Sequence, residues 1–347
     1  MPIALRAFGA FAGAVLTVAA ATAARSADQP DPALAVYGHP QQLVDIGGRR
    51  LNLYCLGQGS PTVILVGGLG SSTFSWRKVH AELAKTTRVC AYDRAGYGYS
   101  DPGPLPRDMR HLADDLAALT KAARLRPPYV LVGASIGGMI ARHYADTHLD
   151  QVGGMVLVDP ETEHEERRLE PVSPGFFAKL KAQSEVVRAC LTATEAGAPT
   201  PGSKAATCVI TPSPEYPPEV NAHFTETSSH PAFYRESLSE EEEAWGAGSD
   251  QVAAAKRSYG DRPLIVLTSS SSDRPDPSHP DPYFDARTQV VVAMHREVAQ
   301  LSSRGSERLI PGATHQIMLS VPQAVIDAVN EVVAEVRQGR AAPPPRR

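Results

Sequence analysis

Apolar positions follow two rhythms along this chain. Apolar-rich runs at 61–66, 88–92, 129–134, 154–159 and 263–268 have the length of strands buried on both faces, and 308–310 reads as a short last strand. Between them apolar residues recur at helical spacing: Trp76, Val79, Leu83 and Ala84; the segment 109–123; Ile136, Met139, Ile140 and Tyr144; the segment 288–301; and Val325, Ile326, Val329, Val332, Val333 and Val336. A hairpin over 43–46 and 50–56, turned at Gly47-Gly48, precedes the first long run. Strand and helix in alternation predict an α/β fold, a mostly parallel sheet with helices on both faces.

The alternation breaks after Pro160. Residues 161–261 are rich in Pro, Glu, Ser and Thr, with helical pieces only near 176–191 and 236–244. A hundred residues is too long for a plain loop, so this stretch reads as a helical cap inserted into a core formed by 36–160 and 262–338. The acidic run 240–243 reads as a solvated helix face, and the Pro- and Arg-rich 339–347 as a flexible tail.

Composition narrows the function. At 347 residues and 42% hydrophobic content the chain can bury a large core, while 21% charged residues and a formal charge of −4 give no electrostatic footprint for nucleic acid. Arg6, the small apolar run 7–21 and Ala21-Thr22-Ala23 read as a signal peptide over 1–23 with an A-x-A cleavage site; the run is short for a membrane span. Export, to the periplasm or outside the cell, gives the four cysteines Cys55, Cys90, Cys190 and Cys208 an oxidising compartment in which to pair, and three pairings are possible. Their spacing does not suit a zinc site, and nothing in the sequence asks for a cofactor.

The candidate chemistry begins at Tyr129-Val-Leu-Val-Gly-Ala-Ser-Ile-Gly-Gly138, where a β-type run meets a Gly-x-Ser-x-Gly turn and a helical period. A strand-to-helix turn of this kind projects its central residue, here Ser135, from a sheet edge. A serine hydroxyl needs a base, an orienting carboxylate and oxyanion donors. His315 follows the last apolar strand and precedes the last helix. Asp159 ends the strand after the nucleophile helix, and Asp273 lies five residues beyond the next strand.

Together with Gly67-Gly-Leu-Gly70, Asp93-Arg-Ala-Gly-Tyr-Gly-Tyr-Ser100, Val156-Leu-Val-Asp-Pro160 and Gly312-Ala-Thr-His315, this order resembles the α/β-hydrolase fold superfamily over nearly the whole chain outside the cap. The resemblance implies an eight-stranded, mostly parallel sheet, a Ser–acid–His triad with Ser135 as nucleophile and His315 as general base, and backbone N–H groups of Leu69 and Ile136 as the oxyanion hole. Either Asp159 or Asp273 suits the family's acid; Asp159 is preferred because it sits tighter to its strand end. The implied strand order places Cys55 beside Cys90, leaving Cys190 to Cys208 within the cap. Asp93 and Arg94 are expected to tie loops together. Gly67 and Ala134 replace histidines often found in the family, which changes the pocket wall and not the acyl-transfer steps.

The expected activity is hydrolysis of a small-molecule carboxylic ester, with amide, lactone or thioester cleavage open to the same residues. Epoxide hydrolases and dehalogenases of the family carry Asp where this chain has Ser135. A non-catalytic binding protein on the same fold and a lipase with an interfacial lid complete the alternatives.

Overall fold

The computed structural model describes residues 30–255, 258–270 and 281–341. The predicted signal peptide, Asp273 and residues 342–347 lie outside them. The strands are β1 (Gln42–Asp45), β2 (Arg50–Leu56), β3 (Thr62–Val66), β4 (Val89–Tyr92), β5 (Tyr129–Ala134), β6 (Val152–Val158), β7 (Leu264–Ser269) and β8 (Gly305–Ile310). They form one eight-stranded sheet in the order β1-β2-β4-β3-β5-β6-β7-β8, antiparallel at β1/β2 and β2/β4 and parallel elsewhere.

The apolar runs read as they do because alternate residues serve two cores. Val63, Leu65, Val130, Val132, Val156 and Val158 face one cluster with Trp76, Leu83, Val325, Val329 and Val333. Ile64, Val66, Leu131, Met155 and Leu157 face the other with Leu112, Leu116, Met139, Ile140 and Val298. The helices α1 (His80–Leu83) and α11 (Pro322–Ala341) therefore cover one face, and α2 (Met109–Ala122), α3 (Ile136–Thr147) and α9 (Phe284–Ala299) the other. At the hairpin, the Asp45 carboxylate accepts from the N–H groups of Gly47 and Gly48, both at positive φ.

Between β6 and β7 the chain folds as α4 (Glu165–Leu169), α5 (Phe176–Ala196), α6 (Pro218–Thr227), α7 (Pro231–Trp245) and α8 (Ala247–Ala254). The short α10 (Ile317–Ser320) follows His315. A 3-10 turn at Pro32–Gly38, which begins ahead of the expected start of the core at 36, carries Tyr37 into a small cluster with Phe74 and Val220 of α6. Cys55 and Cys90 are register partners on β2 and β4 and are disulfide-bonded; Cys190 and Cys208 form a second disulfide within the helical insertion.

Two expectations need correction. The run 240–243 is a solvated face only in part: Glu242 is exposed and Glu241 and Glu243 are half-buried, but Glu240 is fully buried against Arg94, a charge satisfied by a partner 146 residues away that local pattern does not reveal. The last helix runs on through Gly339 to Ala341, where a frayed tail was expected from 339. Glycine's entropic cost in a helix, about 1 kcal/mol relative to alanine, is outweighed by the apolar face that this helix buries through Val325, Val329, Val332, Val333 and Val336.

Candidate active site

Ser135 stands between β5 and α3 with φ 54° and ψ −129°, a left-handed conformation that a non-glycine residue adopts at a cost. The flanking glycines make the turn possible by close approach: a Cβ on Gly133 would lie 2.4 Å from the Gly137 carbonyl oxygen, and one on Gly137 would lie 2.3 Å from that of Val66. The Ser135 carbonyl accepts from the N–H groups of Gly138 at 2.8 Å and Glu161 at 3.2 Å, which fixes the turn against the segment after β6.

Asp159 leaves the end of β6 at positive φ with its carboxylate buried. Oδ1 accepts from the Ser269 N–H at 2.7 Å; Oδ2 accepts from Ser269 Oγ at 2.8 Å and from His315 Nδ1 at 2.7 Å. Burial pushes the Asp159 pKa up, but the hydrogen bond and charge of His315 outweigh it and hold the carboxyl below its ordinary value. On His315, whose side chain is 45% exposed at the cavity, the partial loss of water favours the neutral ring, yet the bond to Asp159 and the negative charges of Asp159, Glu161 and Glu165 prevail, raising the pKa to about 8. This arrangement places the proton on Nδ1 and leaves Nε2 as the basic nitrogen.

Ser135 and His315 line the same cavity of about 310 Å³, together with Gly68, Leu69, Ile136 and Trp245. Its wall includes the segment of Leu69 and the first residue of α3, Ile136, whose N–H belongs to the first turn of that helix and has no partner within it. A second cavity of about 230 Å³ lies on the Asp159 side, and both share Glu161, Leu180, Trp245 and His315. No group of three or more His, Cys, Asp or Glu among the described residues has the geometry of a metal site.

Several residues at this site carry no sequence signal. Glu161 brings Oε1 to 3.4 Å from Ser135 Oγ, which donates to it, and burial raises its pKa. Glu165 is raised to about 8, first by burial and then by the charge of Glu161. His295, buried behind Asp159, contacts Thr268 Oγ1 at 2.9 Å and the Pro160 carbonyl at 2.8 Å, and burial lowers its pKa. Glutamates and histidines are common in the chain, and only the fold brings these three to one cleft.

Residues 61–271 match the family model described as the alpha/beta hydrolase fold. The probable transporter efuK of Hormonema carpetanum is 34% identical over 143 residues, 39% of this chain and 20% of that protein. The 2-hydroxymuconate semialdehyde hydrolase of Pseudomonas sp. strain CF600 is 35% identical over 128 residues, 34% of this chain and 45% of that protein. The chain thus spans less than half the length of either relative. Among solved structures, the epoxide hydrolase CorEH superposes with a TM-score of 0.57 at 19% identity, covering 85% of this chain and 98% of that one, a likeness of fold alone.

Proposed function

The chain belongs to the alpha/beta hydrolase fold family, and on that premise we propose that it is an exported serine hydrolase that cleaves a carboxylic ester through an acyl-enzyme. Ser135 attacks the carbonyl, His315 Nε2 takes the hydroxyl proton and returns it to the leaving alcohol, and a water activated by the same nitrogen releases the acid. Asp159, in preference to Asp273, holds the His315 tautomer and stabilises the imidazolium that forms. The N–H groups of Leu69 and Ile136 receive the oxyanion, and residues 161–261 act as the cap over the site. The observation that carries this reading is the 2.7 Å bond from His315 Nδ1 to Asp159 on the cavity that also holds Ser135. In the resting arrangement Ser135 Oγ donates to Glu161, so attack requires the hydroxyl to turn from that carboxylate to His315.

The test is covalent labelling. A fluorophosphonate probe should modify Ser135 in the folded wild-type protein and not in Ser135→Ala, with p-nitrophenyl ester turnover lost in parallel. Folded protein that carries no adduct on Ser135 and hydrolyses no ester in a panel of rising chain length would point to a binding protein. A second reading, hydrolysis of a semialdehyde, has the Pseudomonas relative in its favour, and consumption of 2-hydroxymuconate semialdehyde with ester turnover absent would select it.

Export is supported by the two disulfides and by the Ala21-Thr22-Ala23 sequence; no helix among the described residues is long and apolar enough to cross a membrane. Mass spectrometry of the protein recovered outside the cytoplasm should find the chain starting at Ala24.

A further inference from the structure

Helix α7 walls the cavity and also grips the loop after β3. Glu241, Ala244 and Trp245 line the cavity beside Ser135 and Leu69. Glu240 faces the core, fully buried, and meets the equally buried Arg94 in a two-pronged ion pair: Arg94 Nε donates to Oε1 at 2.8 Å and Nη2 to Oε2 at 2.7 Å. The rest of the guanidinium is spent on the loop that precedes Leu69. Nη1 donates to the Gly67 carbonyl at 2.6 Å and Nη2 to the Gly68 carbonyl at 2.8 Å, while Tyr97 Oη completes Glu240 at 3.0 Å.

One turn earlier, Glu236 docks on the segment after β4. The Gly103 N–H donates to its Oε1 at 3.2 Å, and Arg107 Nε lies 3.2 Å from Oε2. Ser239 Oγ accepts from the Arg107 N–H at 2.9 Å. Gly96 is pressed so closely on this helix that a Cβ there would lie 2.2 Å from Glu236 Cγ. Residues 236, 239 and 240 share one helix face, so α7 seats on the core through a polar seam.

A buried ion pair is seldom the most stable way to fill a core, because hydrophobic replacements of similar volume often stabilise as well or better. What a guanidinium supplies and an apolar side chain cannot is a rigid planar fork that fixes several acceptors at once. We propose that Arg94 and Glu240 are positioning residues that couple the seating of α7 to the Gly67–Gly68 carbonyls, so that the N–H of Leu69 faces the oxyanion only while the helical insertion is docked. This rests on the ester-hydrolase reading for its catalytic consequence, but the coupling itself does not.

Two measurements separate them. In hydrogen exchange on the full chain, Glu240→Gln should speed exchange of the amides at 68–71 at least tenfold while β5 amides stay as in the wild type. Unchanged exchange at 68–71 overturns the coupling whatever the activity. For catalysis, the double variant Arg94→Met/Glu240→Leu removes both charges and so leaves none stranded. It takes the side-chain donor from the Gly67 and Gly68 carbonyls, so it should melt below the wild type while staying folded, keep KM within about twofold and lose at least tenfold in kcat, since an oxyanion donor is worth about 10²–10³ in rate. It should also bind a trifluoromethyl ketone, a mimic of the tetrahedral adduct, at least tenfold more weakly. A folded double variant with wild-type kcat overturns the catalytic role, and if that variant does not fold, the kcat of Glu240→Gln decides by the same tenfold criterion. Wild-type protein that neither labels at Ser135 nor turns over esters would sink the hydrolase reading alone, and exchange would still decide the coupling.

Discussion

At the scale of single residues, the site is governed by how many charges surround one imidazole. Partial loss of water alone would favour a neutral His315, and Asp159 reverses that, with Glu161 and Glu165 adding to it. In the proposed reaction His315 is the general base and must be unprotonated, so kcat/KM should rise with pH through about 8, the value at which His315 loses its second proton. Asp159→Asn removes the largest of the raising influences, so the limb should move to lower pH while kcat falls by about 10⁴-fold, the cost of losing the tautomer-fixing carboxylate in a well-studied triad. Glu161→Gln should move the limb in the same direction by less, with a smaller loss of kcat. The pH–rate profiles of the three proteins check this, and an Asp159→Asn enzyme with near-normal turnover would return the acid's role to Asp273. The same raised pKa has a stability consequence: the charged His315–Asp159 pair contributes fully below about 6.5 and its contribution is lost as pH rises through about 8.

At the scale of elements, the legible parts of the sequence were those in which a residue's neighbours in the chain decide its fate. A strand such as Thr62–Val66, buried on both sides, must be apolar throughout, and α11 writes its buried face at a helical period. The order in which such elements appear, with the glycines around Ser135, was enough to bring Ser135 and His315 under consideration together. The insertion was opaque because its helices bury little apolar surface and are held by distant polar partners. Glu240 satisfied by Arg94 looks, in sequence, like any exposed glutamate. Glu161 was hidden for a related reason, since its meaning depends on a turn 26 residues earlier.

The Cys190–Cys208 disulfide joins the C-terminal third of α5 to the loop before α6 across an 18-residue separation, and a link of that span is worth roughly 3 kcal/mol in the unfolded-chain model. Cys190→Ser/Cys208→Ser should therefore be cut faster by protease between 197 and 212. Its KM should rise, because α5 supplies Leu180 and Gln183 to the cavity, with kcat less affected. Unaltered proteolysis would mean the insertion is held without that link.

At the scale of the whole molecule, two regimes of stability should coexist. Every residue of β3 and β5 is buried, and their side chains join the two large apolar clusters on either face of the sheet. By contrast, Thr194 is the one residue of α5 that is buried among 21, and its long-range ties include the surface pair of Arg188 with Glu242. Burial of apolar surface is the main term resisting unfolding, while exposed ion pairs add at most about 1 kcal/mol each. Amides of β3, β5 and β6 should thus exchange with solvent only through global unfolding. Those of α5 and of 197–216 should exchange through local opening, orders of magnitude faster and with little dependence on denaturant. The polar seam under α7 predicts a third, intermediate class at 231–245, held to the core by Glu236 and Glu240 and packed on α5 through Phe177 against Trp245 and the surface pairs Arg188–Glu242 and Arg235–Glu195. If α5, α7 and β5 exchanged at one common rate, the molecule would be a single cooperative unit, and opening of the insertion could not admit substrate without unfolding the sheet that positions Ser135.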